Sequence, residues 1–405
     1  MVKRLIPFVL IYALTLPGGS WAQDEGTEDL RRKTPSGQYV DPASFFRFHG
    51  YITLGYAQPQ EDFGKIPNSS PQILVSGVSP RTGNNEGGFR NDAALFVGGE
   101  PFEGVSSVIE MHFVGNALDI VLTEAKIIWD LAEGGPATFR IVAGRYWWPF
   151  GIHNDEWFSA INRFAAISPG AAEVMPAHYN EVGVMGEGEF RVGPHAGLNY
   201  VLSAGNGVPG FEVPDAVRQS AFDYNSDRTL TGRVGLVLNH GGWFKGRFEI
   251  GLSGARGDLR VGQDTKRDPG DPHRYDADFQ ALGVDAVLDL QTLSVRSYYY
   301  KSEENLRAAP VSRLDRKGYT LEPALKLDFS AKELRNLDAI TLFARYSMAE
   351  EETLSNTTIK RTQLGAGLMF HFTKAMQGKI SYVAQREKQA EIDNDLFSFS
   401  LTAEF

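Results

Sequence analysis

The chain has no cysteine. No disulfide helps to hold its fold, and no lipid-modified cysteine anchors it. After residue 22 it has no apolar run near the roughly 20 residues that a membrane-crossing helix needs. Basic charge is in deficit. Against 50 Asp and Glu stand 40 Lys and Arg, a balance that argues against a nucleic-acid partner. No repeat of fixed sequence supports a β-helix or a propeller. At 405 residues the chain is long enough for two or three soluble domains, yet no change of composition marks a linker between them.

What is present starts with Lys3-Arg4, an apolar run from Leu5 to Leu16, and small residues up to Ala22. This order predicts a secretory signal peptide over 1–22, cleaved after Ala22. Residues 23–44 are polar, with Pro35 and Pro42, and read as a flexible periplasmic arm. From 45 to 405 the pattern is alternation with period two, the mark of strands with one apolar and one polar face. Phe46, Phe48, Ile52, Leu54 and Tyr56 share one face of the first strand, and Arg47, His49, Tyr51 and Thr53 the other. In the strand expected over 119–130, Val121, Thr123, Ala125, Ile127 and Trp129 oppose Leu122, Glu124, Lys126, Ile128 and Asp130. The last strand, 395–405, sets Phe397, Phe399, Leu401, Ala403 and Phe405 against Ser398, Ser400, Thr402 and Glu404.

About sixteen such strands are expected, most of them roughly 10–14 residues long, enough for a tilted crossing of a bilayer. Every junction from an even to the next odd strand is short, and most junctions in the other direction are longer. A soluble sandwich has no reason to sort its connections by parity. A transmembrane barrel has one, with short periplasmic turns and long external loops. The expected fold is therefore all-β: a transmembrane antiparallel β-barrel in the outer membrane of a Gram-negative bacterium, contacting its lipid. Phe405 is expected to close the barrel and to be the aromatic end by which the assembly machinery takes up the chain.

With the apolar faces on lipid, the polar faces line the lumen. The expected pore-lining residues are Arg47, Arg90, Glu110, Glu124, Lys126, Arg140, Arg233, Lys245, Arg247, Arg296, Lys326 and Arg345. Asp92, Glu249, Asp285 and Glu322 belong to the same faces. A sixteen-stranded barrel is too wide for side chains to fill. Water and small solutes are expected to occupy it, as a passive diffusion channel. The alternative is a non-channel barrel, a structural protein, adhesin or receptor acting through its external loops.

The segment 148–179 is unusually apolar for a loop and is expected to fold inward as a constriction. Its candidate residues are Trp148, His153, Asp155, Glu156 and Arg163. The spacing of His153, Asp155, Glu156 and His178 matches no strong ligand motif, so no metal is expected. Ser, His and acidic residues form no trio on one rim, so no catalysis and no cofactor are expected either.

Two stretches, Gly144-Arg145-Tyr146-Trp147-Trp148-Pro149-Phe150-Gly151 and Tyr179-Asn180-Glu181-Val182-Gly183-Val184, resemble the phosphate- and polyphosphate-selective family of bacterial outer-membrane porins. The resemblance implies a homotrimer of sixteen-stranded barrels, each with its own pore, and anion selectivity from basic side chains at the constriction. This chain departs from that pattern: beside Arg163 its segment carries Asp155, Glu156 and Glu173, and no run of lysines.

Overall fold

The computed structural model describes residues 46–59, 88–114, 119–132, 135–152, 162–175, 180–209, 228–240, 246–261, 275–306, 313–329, 337–352, 358–373, 375–388 and 395–405. The expected signal peptide 1–22 and arm 23–44 lie outside the described residues.

Sixteen long strands make the fold. They are β1 (Phe46–Pro59), β2 (Gly88–Phe102), β3 (Val105–Val114), β4 (Asp119–Ala132), β5 (Ala137–Trp147), β6 (Asn180–Arg191), β7 (Ala196–Gly205) and β8 (Thr229–His240). The second half comprises β9 (Gly246–Val261), β10 (Tyr275–Leu290), β11 (Leu293–Leu306), β12 (Arg313–Asp328), β13 (Ala339–Glu352), β14 (Thr358–Thr373), β15 (Met376–Glu387) and β16 (Leu396–Glu404). Each pairs antiparallel with its neighbours in the chain, and β16 pairs with β1 from Tyr51↔Glu404 to Pro59↔Leu396. The sheet is thus closed, which a sheet in lipid requires because an open edge leaves backbone groups unbonded. A two-residue segment, Val208–Pro209, adds a parallel bridge to the end of β9.

The terminus seals the seam. Phe405 N–H donates to the Gly50 carbonyl and Gly50 N–H to the Phe405 carbonyl, both at 2.9 Å. Glycine suits position 50, because a Cβ would lie 2.7 Å from the Ala94 carbonyl as well as 2.7 Å from the Phe405 ring.

Alternation sorts the side chains as expected. On β1 Ile52 and Leu54 are exposed while Tyr51 and Thr53 are buried. Exposed apolar residues recur around the ring, among them Leu202, Leu252, Leu282, Leu364 and Phe399. Two expectations need correction. First, β4 does not keep one phase. The register slips between Glu110 and Met111, opposite Glu124 and Leu122, so a bulge leaves Thr123 unpaired. Thr123 is fully buried and donates to the Glu110 carbonyl, whereas Ile127 and Trp129, expected on its face, are exposed. Leu122, expected beside Glu124, is exposed too. An extra residue in one strand shifts every side chain beyond it to the other face. Second, the inner wall is not uniformly polar, since Phe279, Tyr298 and Tyr300 face inward and are buried.

Several strands also run past their expected ends. β9 spans 16 residues to Val261, more than the expected 10–14, because its ladder with β10 holds as far as Val261↔Tyr275.

Candidate functional site

The burial of Phe279, Tyr298 and Tyr300 has a cause in the chain after β5. Pro149 cannot donate to a ladder, and Gly151 takes φ 62°, so the strand ends in a turn. The turn drives Trp148 and Phe150 into the barrel. The two rings stack at 5.3 Å, and Phe150 meets the Tyr300 ring edge-on at 5.3 Å. Trp148 Nε1 donates to Thr231 Oγ1 at 2.6 Å. Gly151 N–H donates to Ser253 Oγ at 3.0 Å, and Ile152 N–H to the Tyr300 hydroxyl at 3.0 Å. These acceptors belong to β8, β9 and β11, so the segment lies on the inside of the wall.

Residues 162–175 continue along that wall. Lys379 Nζ on β15 donates to the Asn162 carbonyl at 2.7 Å. Arg163 donates to Ser294 Oγ at 2.6 Å and to Glu322 Oε1 at 3.2 Å. Phe164 packs edge-on to Phe343 at 4.8 Å and joins a buried apolar cluster with Ala57, Met369 and Leu396. Gln363 donates to the Ile167 carbonyl. A single helical turn, α1 (Pro169–Ala172), follows. Its N-cap, Ser168, makes no cap bond, because its hydroxyl bonds the Tyr298 hydroxyl instead. Gly170 N–H donates to Ser347 Oγ at 2.9 Å, and Ser302 Oγ donates to the Val174 carbonyl at 2.6 Å. Glu173 pairs with Arg361 at 2.6 Å. Burial pushes the Glu173 carboxyl up, to about 7, against the downward pull of Arg361.

The fit depends on absent side chains. A Cβ on Gly170 would sit 2.6 Å from the Tyr319 carbonyl, and one on Gly318 would sit 2.3 Å from the Gly170 carbonyl. Two glycines let the segment's backbone touch the wall's backbone.

The charged residues on the inner faces form separate groups. On β1 to β4, His112 Nε2 lies 2.6 Å from Glu110, Tyr51 donates to Asp92, and Lys126 pairs with Glu124 at 2.6 Å. Trp147 Nε1 donates to Glu110 at 3.2 Å. Arg140 pairs with Glu187 at 2.5 Å. On β8 to β10, Arg233 bridges Asp285 and Glu249, and Arg247 meets Glu249 at 2.6 Å. Around the segment, Arg163 and Arg345 share Glu322, at 3.2 and 2.7 Å. Beneath it, toward the end with the short turns, a cavity of about 290 Å³ is lined by Arg163, Arg296, Lys326, His371 and Asp289 among others.

Of the residues expected from sequence, Arg163, Arg296 and Arg345 are brought together around Glu322, Trp148 packs apart from them with Phe150 and Phe279, and Glu110, Glu124 and Lys126 form the separate group on β3 and β4. Arg47 is exposed near the start of β1, and Lys326 pairs with Asp328 at 2.9 Å. His153, Asp155, Glu156 and Lys245 lie outside the described residues, as does the side chain of Arg90. Sequence reasoning missed Asn162, Ser168, Gln363 and Lys379. Lys379 and Gln363 were visible as polar residues on predicted strands; Asn162 and Ser168 bond through a backbone carbonyl and a hydroxyl that carry no pattern.

No family model matches the chain, and no curated protein matches its sequence. Solved structures do match. An in-vitro folded trimer form of OmpT, an outer membrane protein of Vibrio cholerae, superposes with a TM-score of 0.55 at 9% identity, covering 89% of this chain and 99% of that one. The anion-selective porin from Comamonas acidovorans gives 0.53 at 9%, with 89% and 99% covered. The outer membrane channel DcaP of Acinetobacter baumannii gives 0.50 at 11%, with 91% and 99% covered. At such identities the shared property is the fold, an outer-membrane β-barrel.

Proposed function

We propose that the chain is an outer-membrane porin, a non-enzymatic, water-filled channel through which small hydrophilic solutes diffuse. The observation that carries this reading is the inward segment. It covers the aromatic part of the wall and is itself tied down by hydrogen bonds from β8 to β15. The inner faces elsewhere keep charged residues in paired groups. A barrel of this width with a polar inner surface holds water.

The finer part of the proposal is an anion preference at the narrowing. In the cavity beneath the segment Arg163, Arg296 and Lys326 stand beside Asp289, with Glu322 holding Arg163 and Asp328 holding Lys326, and these basic side chains are what an anion preference would draw on. The phosphate specificity of the family resembled is not part of it, since the described segment offers one arginine held by Glu322 rather than a row of lysines. A homotrimer is proposed from the same resemblance, and a neighbour of the same fold is described in a trimer form. Export by the 1–22 signal and uptake by the assembly machinery through Phe405 complete the reading.

The test is a planar-bilayer recording of purified protein. Ohmic steps support the channel; silence from a folded, heat-modifiable barrel supports the non-channel alternative. Under a salt gradient, a reversal potential of the anion sign supports the preference, and the opposite sign removes it.

A further inference from the structure

Where the inward turn leaves β5, the wall carries buried polar atoms that the fold itself does not pair. Glu181, the second residue of β6, is fully buried on the inner face, and neither of its carboxylate oxygens has a hydrogen-bond partner. No cationic side chain stands near it among the described residues. The Gly207 amide faces it, short of bonding geometry. The side chain lies flat across β7, since a Cβ on Gly205 would collide with its carboxyl carbon. Ser203, two residues back on the same face of β7, is buried, and its hydroxyl has no partner either. Tyr146, the register partner of Glu181 on β5, stands over Gly183, where a Cβ would lie 2.8 Å from its hydroxyl. That hydroxyl is near both the Glu181 carboxyl and the Ser203 hydroxyl, and it donates to the Val184 carbonyl at 3.3 Å. Gly183 and Gly205 are themselves register partners, so two positions without side chains make room for the group. Thr229, beside Gly205 on β8, closes the far side; its hydroxyl hangs over Gly257 instead.

These oxygens gather around one place without bonding one another. A buried carboxylate with no partner is costly, and buried polar groups are satisfied by protein, water or an ion. Protonation does not settle the account, because the new O–H needs an acceptor and none lies within bonding reach of either oxygen. A bridging water supplies hydrogen bonds and leaves the charge. A cation answers both needs. Oxygen-only ligands suit a hard ion. One carboxylate among neutral hydroxyls is balanced by a single positive charge. A divalent ion would leave net charge against Ile128, Val142 and Met185, the apolar cluster that Tyr146 joins.

We propose that Glu181, Ser203 and Tyr146 bind a monovalent hard cation, sodium, on the inner face of β5 to β7. The carboxylate supplies the charge, and the two hydroxyls supply neutral oxygens. The Tyr146 proton is already given to Val184, which leaves its lone pairs to the ion. The site lies one register position from Trp147↔Asn180, where β5 ends and Trp148 turns inward. The ion therefore ties three strands together at the root of the inward segment. The site needs the barrel but not conduction, so its test is independent of the channel reading.

The test is thermal unfolding of full-length protein in detergent, followed by loss of the heat-modifiable band, in sodium chloride and in choline chloride of equal ionic strength. Sodium should raise the wild-type midpoint by on the order of 2 °C, because an ion that binds only the folded barrel stabilises it. Glu181→Gln keeps the shape without the charge, and its midpoint should be the same in both salts. Ser203→Ala removes one neutral ligand and should raise the half-saturating sodium concentration severalfold; it also keeps the proposal testable if the glutamine variant fails to fold. Equal wild-type midpoints in the two salts overturn the inference, as does a sodium response that survives in Glu181→Gln. Stabilisation by calcium with none by sodium overturns it too, by making the ion divalent. So does a choline midpoint that rises on acidification with no sodium effect at any pH, which makes Glu181 a protonated acid.

Discussion

Arg345 lies over the Phe164 ring, its guanidinium carbon 4.4 Å from the centroid. The same group donates to the Ala166 carbonyl at 2.6 Å and to Glu322 at 2.9 Å. One wall residue thus holds the inward segment by a face, a carbonyl and, through Glu322, by Arg163. Arg345→Ala removes all three and leaves Glu322 with Arg163 alone. Losing one partner of a buried pair costs about 3–5 kcal/mol. Its expected effect is a barrel that still forms but conducts more, with noisier single-channel traces than wild type.

Trp148 begins the inward turn and is 1% exposed. Trp148→Ala empties a packed site and should lower stability by about 3–5 kcal/mol. Denaturation of the purified barrel should register the change. Trp148→Phe, which keeps most of the ring but not the bond to Thr231, should lose less.

Gly318 and Gly170 test the backbone contact between wall and segment. Gly318→Val places a methyl-bearing carbon against the Gly170 carbonyl, an overpacking that costs about 1–3 kcal/mol. The segment should detach locally, and protease should cleave near 170 in the variant but not in wild type.

Glu173 gives the segment a pH dependence. Its carboxyl is raised from 4.5 to about 7, first by burial and further by Glu351 and Glu387, against Arg361. Docking of the neutral form is unpenalised below about pH 4.5, and the penalty grows until it is complete above about pH 7. The segment should therefore loosen as pH rises through neutrality, seen as conductance or noise increasing between pH 5 and 8. Glu173→Gln should flatten that change.

Much of the fold was legible because a membrane barrel writes its topology in parity and period. β3, β5 and β6 begin and end where alternation begins and ends. The bulge at Thr123 was not legible, since an extra residue changes which face a side chain takes without changing the residues themselves. Tyr298, Tyr299 and Tyr300 show the same limit. Three tyrosines in a row have no phase of their own, and only the ladder with β10 and β12 turns the outer two inward and the middle one to lipid. At the candidate site the apolar run after β5 announced that something covers it. Its destination depended on small partners, Gly170, Gly318 and Ser347, which no hydrophobic pattern reveals.

Phe405 closes the ring through two backbone bonds to Gly50. Deleting Phe405 should lower the amount of folded protein in the outer membrane, measured by heat-modifiability of membrane extracts. A wild-type amount would remove its role in assembly.

In the proposed channel the inward segment narrows a water-filled lumen. Single-channel conductance of a variant lacking 152–170 tests it most directly, compared with wild type in the same bilayer and salt. A larger conductance from a folded barrel is the predicted result. An unchanged conductance would contradict the account.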